Sequence, residues 1–402
     1  MRVLVADRLS PKVTEKLHSL GCSVDIRPDA KGSSLAEAIS ERDPHVLVVR
    51  STRVEADHID RGRSLILVIR AGAGFNTIDT ARASARGVYV ANCPGKNAIA
   101  VAELAMGHLL NLDRRITDNV TLLRQHRWAK KEFGKAQGLY GRTLAVLGTG
   151  QVGREVIHRA LAFGLHVRAW DKALTPEDAR ELGVTWCATA LDACRGADAL
   201  TVHLALNDGT RGLVGDELLG ALAQGAYVIN TSRGEVVDQD ALERAIQGRG
   251  LRAGLDVYAE EPGASDSEFP FGIADNQGVF GTHHIGASTE QASEAVGDEV
   301  VRIVRQFLAT GHPPNCVNLE DKTDATHLLL VRHADQVGVL AHVLDAISEA
   351  GVNVQEMENT IFTGGTSACA RIQIEGDPTH GLVARLDATE HVFATIVVPL
   401  NR

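Results

Sequence analysis

The stretch Thr143 to Asp171, TLAVLGTGQVGREVIHRALAFGLHVRAWD, decides how this 402-residue chain is read. Leu144 to Leu147 is an unbroken apolar run, as a parallel strand buried on both faces requires. Gly148, Gly150 and Gly153 follow at the G-x-G-x-x-G spacing. The first permits a tight turn, the second close backbone approach to a pyrophosphate, and the third helix-on-strand packing. From about Gln151 to Phe163, the residues Val152, Val156, Ile157, Ala160 and Leu161 recur at helical spacing, and Gly164 stands where a left-handed cap is wanted. The amino end of such a helix offers unpaired N–H groups to an anion. His166 to Trp170 makes the next strand, and Asp171 falls where an acid binds an adenosine ribose. A carboxylate there repels a 2′-phosphate, which favours NAD over NADP; Lys172 beside it weakens that preference. The glycines alone fit any strand-to-helix turn. Strand, helix, cap and terminal acid together read as a dinucleotide site.

Outward from this stretch, the length fits two or three domains with ample buried core. Residues are 44% hydrophobic and 23% charged, and no apolar run approaches the roughly 18 residues of a membrane span. The opening MRVLVADRLS enters a strand pattern directly, without a signal layout, so a cytoplasmic location is expected. A net charge of −10 argues against nucleic acid and anionic membranes as partners, leaving anionic substrates to local arginines. Six scattered cysteines, Cys22, Cys93, Cys187, Cys194, Cys316 and Cys369, include no C-x-x-C pair, so neither a metal site nor a disulfide framework is signalled.

Strands are expected at Val3 to Ala6, Val46 to Val49, Leu65 to Ile69 and Val88 to Ala91, alternating with helical or loop segments as in a parallel α/β domain. After the third comes a small-residue loop, Arg70 to Asn76, whose amides either face a carboxylate or form an ordinary turn. A long helix is expected from about Ala98 to Leu112. Arg124 to Lys135 is basic around Trp128 and Phe133, a solvated face or a phosphate contact. Further strands at Ala199 to Leu204, Tyr227 to Thr231, Leu251 to Val257 and Val279 to Phe280 extend the nucleotide-binding sheet. Ligands sit at the carboxyl ends of such strands. The positions just past them are His203, Ser232-Arg233-Gly234, Asp256 with Glu260 and Glu261, and Thr282-His283-His284. A helix from about Thr289 to Leu308 follows, and Asp321 to Asp324 reads as a linker. The tail then changes to βαββαβ: strand 328–332, helix 338–349, strands 353–360 and 367–374, helix 379–386 and strand 392–398.

A nicotinamide enzyme that oxidises an alcohol needs a base for the hydroxyl proton and a cation to fix the substrate. Position narrows sixteen histidines to His203, His283 and His284, and a carboxylate such as Glu261 would keep one of them protonated longer. The ordered segments RAGAGFNTID (70–79), NCPGKNAIAVAEL (92–104), GRTLAVLGTGQVGREV (141–156), VINTSRGEVVD (228–238), LDVYAEEP (255–262) and THHIGAST (282–289) resemble the successive signatures of the D-2-hydroxyacid dehydrogenases. The match covers nearly all of residues 1 to 320. The tail is similar to an ACT domain, through His333 to Leu340 and Gly351 to Val354, and within the family this is the layout of the 3-phosphoglycerate-oxidising branch.

The resemblance implies a Rossmann-type cofactor domain, residues 98–285, inserted in a flavodoxin-like substrate domain formed by 1–97 and 286–320, with a ferredoxin-like ACT domain at 325–402. Arg233, Glu261 and His284 correspond to the catalytic arginine, acid and histidine. Gly148, Gly150, Gln151, Val152, Gly153, Asp171, His203, Thr231, Arg233, Asp256 and His284 would line the NAD site, with Asp256 on the nicotinamide amide. Substrate would meet Ala71, Gly72, Ala73, Gly74, Asn97, Arg233 and His284, and a substrate phosphate would meet Arg50, Arg53 and Arg70. His333, Asp335 and Asn353 correspond to the site that binds an amino-acid effector between two subunits; Asp335 and Val337 depart from the asparagine and proline common there. The implied reaction is reversible oxidation of D-3-phosphoglycerate to 3-phosphohydroxypyruvate, which opens serine synthesis, in a homodimer or homotetramer. Alternatives are a glyoxylate or hydroxypyruvate reductase, and a non-catalytic NAD(H)-sensing regulator.

Overall fold

A computed structural model describes residues 1–262, 268–269, 272–320, 322–378 and 380–400 and contains two compact units, Met1–Asn318 and Leu319–Arg402. The first unit holds two parallel sheets. Strands β1 (Arg2–Val5), β2 (Ser23–Ile26), β3 (Val46–Val49), β4 (Leu67–Arg70) and β5 (Tyr89–Asn92) lie in the order β2-β1-β3-β4-β5. The apolar runs predicted three of these closely; β4 is displaced so that Arg70 is its last residue. β2 escaped the sequence because SVDI alternates and is half exposed at the sheet's edge, with no apolar run to mark it.

The second sheet comprises β6 (Thr143–Leu147), β7 (His166–Trp170), β8 (Thr185–Trp186), β9 (Ala199–Val202), β10 (Tyr227–Asn230), β11 (Arg252–Leu255) and β12 (Val279–Gly281), in the order β12-β11-β10-β9-β6-β7-β8. The order reverses between β6 and β9, the switch point at which such sheets bind dinucleotides. Two apolar layers cover it. One is built on Leu147, Leu200, Val228 and Leu242, the other on Leu109, Val146, Ile157 and Ile229. The helix Ala98–Arg114 supplies Leu109 and Leu112 to the second layer.

After β12 the chain returns to the first sheet. The helix Glu290–Thr310 packs Val296, Val300, Ile303, Val304 and Phe307 against Val3, Val5 and Leu17. On that helix Glu299, buried to 4% exposure, takes Arg302 at 2.5 Å, Asn315 at 2.7 Å and Lys96 at 3.3 Å.

In the second unit, β13 (His327–Ala334), β14 (Asn353–Ile361), β15 (Ser367–Glu375) and β16 (Val392–Pro399) form an antiparallel sheet in the order β14-β15-β13-β16. Its core is Leu329, Val331, Val343, Ile347, Ile372 and Leu386, from the sheet and the helices Val339–Glu349 and His380–Asp387. This is the ferredoxin-like arrangement expected of an ACT-like domain. Asp321, in the expected linker, and Thr379, at the expected helix start, lie outside the described residues. Among the described residues no helix is long and apolar enough to cross a membrane, and no cluster of His, Cys, Asp and Glu could hold a metal ion.

Glu299 gives this packing a pH signature. The Arg302 hydrogen bond, opposed by burial and helped by Asn315 and Lys96, holds its carboxyl down to about 2. A depressed folded-state pKa contributes stability that is complete above the ordinary value, 4.5, and is lost as the pH falls through about 2. Glu299→Gln should therefore lower Tm near neutrality by a few degrees, roughly, and the gap to the wild type should close as the pH is taken from 4.5 toward 2. A gap independent of pH in thermal melts would contradict the assignment.

Candidate active site

Because all strands within each sheet are parallel, their carboxyl-end loops emerge on one edge, and the two edges face each other. On the first sheet Asp7 follows β1. Its buried carboxylate accepts the N–H groups of Arg50 (2.6 Å), Ser51 (3.1 Å) and Thr52 (3.1 Å) and the Ser51 hydroxyl (3.0 Å). It thus holds the loop that carries Arg50 and Arg53. Arg70 closes β4, and its guanidinium lies across Gly72, filling the space a Cβ there would need. Arg233 reaches over from the second sheet to lie against Gly74 in the same manner. The loop Ala71 to Gly74 is thereby flanked by two guanidinium groups.

The pair is electrostatically unusual. Burial, then the field of Arg233 and, more weakly, Arg50, pulls Arg70 down to about 10. Its Nε is buried without a hydrogen-bond partner among the described residues. Desolvated like charges held side by side are costly unless an anion joins them. Of the other arginines, Arg53 lines a cleft of about 840 Å3 together with Ser51, Glu261, His283 and His284. Arg50 turns the other way, toward Ser293 Oγ at 3.4 Å. Asn97, half buried, precedes the helix Ala98–Arg114, and in the same turn Gly95 lies against the side chain of Gln151 from the glycine-rich helix.

Across the cleft, Arg233 is presented by a turn that Asn230 ties. Asn230 Nδ2 donates to the Arg233 carbonyl at 2.9 Å, and Asn230 Oδ1 accepts the Ser232 N–H at 3.0 Å and hydroxyl at 2.8 Å. Gly234 lies directly on the Tyr258 carbonyl, so this turn and the segment leading to Glu261 touch backbone to backbone, and any Cβ at 234 would separate them. Glu261 Oε2 meets His284 Nδ1 at 2.7 Å, while its other oxygen accepts the Tyr258 N–H at 3.2 Å. Burial would push the Glu261 carboxyl up, but the hydrogen bond and charge of His284 outweigh it and leave it lowered. The same hydrogen bond raises His284 against the opposing effect of burial, and the charges of Glu261 and Asp256 add to it. His283 lines the cleft and is exposed.

His284 has φ of +52°, a left-handed conformation that a non-glycine residue adopts at a cost. Asp256 holds it there. The His284 N–H donates to the Asp256 carbonyl at 2.9 Å, and the buried Asp256 carboxylate accepts Ile285 N–H (2.9 Å), Gly286 N–H (2.8 Å) and the Thr282 hydroxyl (2.6 Å). In this structure Asp256 thus spends its lone pairs mainly on the histidine loop. Asp7 and Asn230 are supports that the sequence reading did not single out, and Thr282, noted there only as a position just past a strand, is a third; a polar residue at or beside a strand's carboxyl end was the available signal.

At the switch point Gly148, with φ of +94°, brings its α-carbon face to within 2.6 Å, for a Cβ, of the His203 carbonyl, and Gly153 packs on the Gly148 carbonyl. Side chains therefore cannot replace either one. Asp171 Oδ2 accepts the Thr149 N–H at 2.7 Å and fixes the turn. His203, pushed down to about 4 by burial and hence a neutral imidazole, binds Thr201 through Nε2 at 2.8 Å and leaves Nδ1 buried without a partner among the described residues. Thr231 Oγ1 is orphaned likewise. Buried polar atoms are seldom left unpaired, so a glycine cradle rimmed by two such atoms fits a bound dinucleotide. Val152 lies half buried on the helix behind it.

In the second unit, His333 is buried with Nδ1 at 2.7 Å from the Ala334 carbonyl oxygen and Nε2 at 3.1 Å from Asn359 Oδ1. Asp335 is exposed just past the end of β13. Asn353, also exposed, opens β14 level with the start of β13. One chain therefore keeps Asn353 at the opposite end of the sheet from the other two.

Residues 106–286 match the D-isomer specific 2-hydroxyacid dehydrogenase NAD binding domain. The D-3-phosphoglycerate dehydrogenase of Methanocaldococcus jannaschii is 36% identical over 321 residues, 79% of this chain and 60% of that protein. The hydroxypyruvate reductase of Thermotoga maritima is 37% identical over 303 residues, 75% of this chain and 96% of that protein. An NADPH-dependent glyoxylate/hydroxypyruvate reductase from Sinorhizobium meliloti, solved in complex with NADP and malonate, superposes with a TM-score of 0.67 at 28% identity, over 79% of this chain and 96% of that one. The chain spans about 60% of the length of the archaeal relative. With its glycine turn, its paired arginines and its Glu261–His284 contact joined by these likenesses, the chain belongs to the D-isomer specific 2-hydroxyacid dehydrogenase family.

Proposed function

We propose that the protein is an NAD-dependent dehydrogenase of D-3-phosphoglycerate, acting reversibly to form 3-phosphohydroxypyruvate. One observation carries the reading: Arg70 and Arg233 lie side by side with no carboxylate among the described residues to join them, next to the Glu261–His284 pair. A substrate with both a carboxylate and a phosphate supplies the missing charge. Arg233 grips the carboxylate and polarises the reacting oxygen; Arg70 meets the phosphate, joined by Arg53, which lines the cleft beside Glu261 and His284. Glu261 occupies His284 Nδ1, which leaves Nε2 to take the hydroxyl proton. NAD, bound at the glycine turn, supplies the hydride acceptor. Asp171 repels a 2′-phosphate and favours NAD over NADP. Glu261 then stabilises the imidazolium, and Arg233 keeps the product oriented.

The cofactor part, 98–285, and the substrate part, 1–97 with 286–320, would close over the reactants and exclude water. A homodimer through the helix Ala98–Arg114 and the segment after it is supported by exposed Ile116, Val120, Leu123 and Trp128. An amino-acid effector would sit between two copies of the tail, a reading supported by the separation of Asp335 from Asn353 within one chain. A cytoplasmic location accompanies this reading. The second reading, a hydroxypyruvate reductase, is favoured by the near-complete coverage of the Thermotoga relative.

NADH oxidation with 3-phosphohydroxypyruvate should exceed that with hydroxypyruvate, glyoxylate or 2-oxoglutarate; preference for an unphosphorylated acid would overturn the assignment. Arg70→Ala should raise KM for the phosphorylated substrate by roughly tenfold or more, the scale of a charged hydrogen bond, and change KM for hydroxypyruvate far less. Equal effects would remove Arg70 as the phosphate ligand. In the oxidative direction the rate rises as His284 loses its proton, and Glu261 holds that pKa above the ordinary value. Glu261→Gln should move the acidic limb of the kcat/KM profile to lower pH and lower the plateau by about ten- to a hundredfold. An unmoved limb would show that the pair does not control the proton.

A further inference from the structure

Behind the histidine loop lies a buried residue that the reaction as described does not use. His108 sits mid-way along the helix Ala98–Arg114, is 5% exposed, and places Nε2 at 3.1 Å from Thr282 Oγ1. Thr282 Oγ1 is 2.6 Å from Asp256 Oδ1. Directions follow from the inventory of protons. The ionised carboxylate only accepts, so the single hydroxyl proton of Thr282 goes to Asp256 and the hydroxyl's lone pair must accept from His108 Nε2–H. This fixes the His108 tautomer and orients a chain of donors, His108 to Thr282 to Asp256, that ends on the carboxylate holding Ile285 and Gly286. The backbone at 254 is glycine where the imidazole crosses it, and a Cβ there would come within 2.7 Å of the His108 side chain. The strand is thus cut back to admit a histidine from the neighbouring helix.

We propose that His108 is a positioning residue for the hydride-transfer site: by donating to Thr282 it fixes the hydroxyl on Asp256, and so pins His284 in its left-handed conformation with Nδ1 on Glu261. The inference rests on the dehydrogenase reading for its kinetic consequence, but not for its geometric one. Burial lowers the imidazole's pKa, which keeps His108 a neutral donor rather than a charge beside the site.

The test separates donation from bulk. His108→Gln places an amide N–H near the position of Nε2; His108→Met has nearly the same shape and cannot donate. If His108 acts by donating, His108→Met lowers kcat by roughly tenfold with KM little changed, and His108→Gln restores kcat to within about twofold of the wild type. A direct readout needs no turnover: in histidine-labelled protein followed by NMR, the His284 titration should move to lower pH in His108→Met and return in His108→Gln. Equal values for the two variants in both readouts, whether both wild-type or both impaired alongside a drop in Tm, would overturn the proposal and leave His108 a packing residue. If no 2-hydroxy acid is turned over by the wild type, the dehydrogenase reading fails, and the NMR titration still decides the role of His108.

Discussion

Everything in the larger unit depends on two parallel sheets presenting their carboxyl ends to a common space. A parallel sheet sends every strand-to-helix loop out of one edge. Two such edges facing each other concentrate loop residues, and little else, in one cleft. The first sheet contributes cations and small-residue backbone; the second contributes the glycine turn, a further cation and the histidine–glutamate pair. The costly element is the closeness of Arg70, which is desolvated, to the like charge of Arg233. Such an arrangement makes physical sense as half of an ion complex whose other half arrives with the substrate.

Buried acids at strand ends keep these loops in place. Asp7 and Asp256 play parallel parts, each gathering several N–H groups of the loop on a neighbouring strand. Each carboxylate is compensated by backbone donors and hydroxyls, so its desolvation is offset locally. The strain of a left-handed His284 is carried in the same way, by hydrogen bonds to its own N–H and to Thr282, Ile285 and Gly286 around it.

Much of this was legible in the sequence. The apolar runs of β3, β6 and β10 fix buried parallel strands, and the glycine spacing at 148, 150 and 153 states where two backbones must meet. Edge strands β2 and β8 were not legible, because a strand paired on one side needs no unbroken apolar run. Motif order pointed to Arg233, Glu261 and His284, and two of them are in contact. What the sequence could not convey is direction. It placed Arg50 with Arg53 and Arg70, but only geometry shows Arg50 turned toward Ser293. His108 falls on the helix expected from about Ala98 to Leu112, where a satisfied core histidine and a donor to the site look alike. Contacts made across 174 positions of chain leave no mark in local spacing.

The most direct measurement is a crystal structure with NAD and D-3-phosphoglycerate bound. The account predicts the substrate carboxylate on Arg233, the hydroxyl at His284 Nε2, and the phosphate within hydrogen-bonding distance of Arg70. A phosphate pointing into solvent, with Arg70 still lacking an anion, would contradict it.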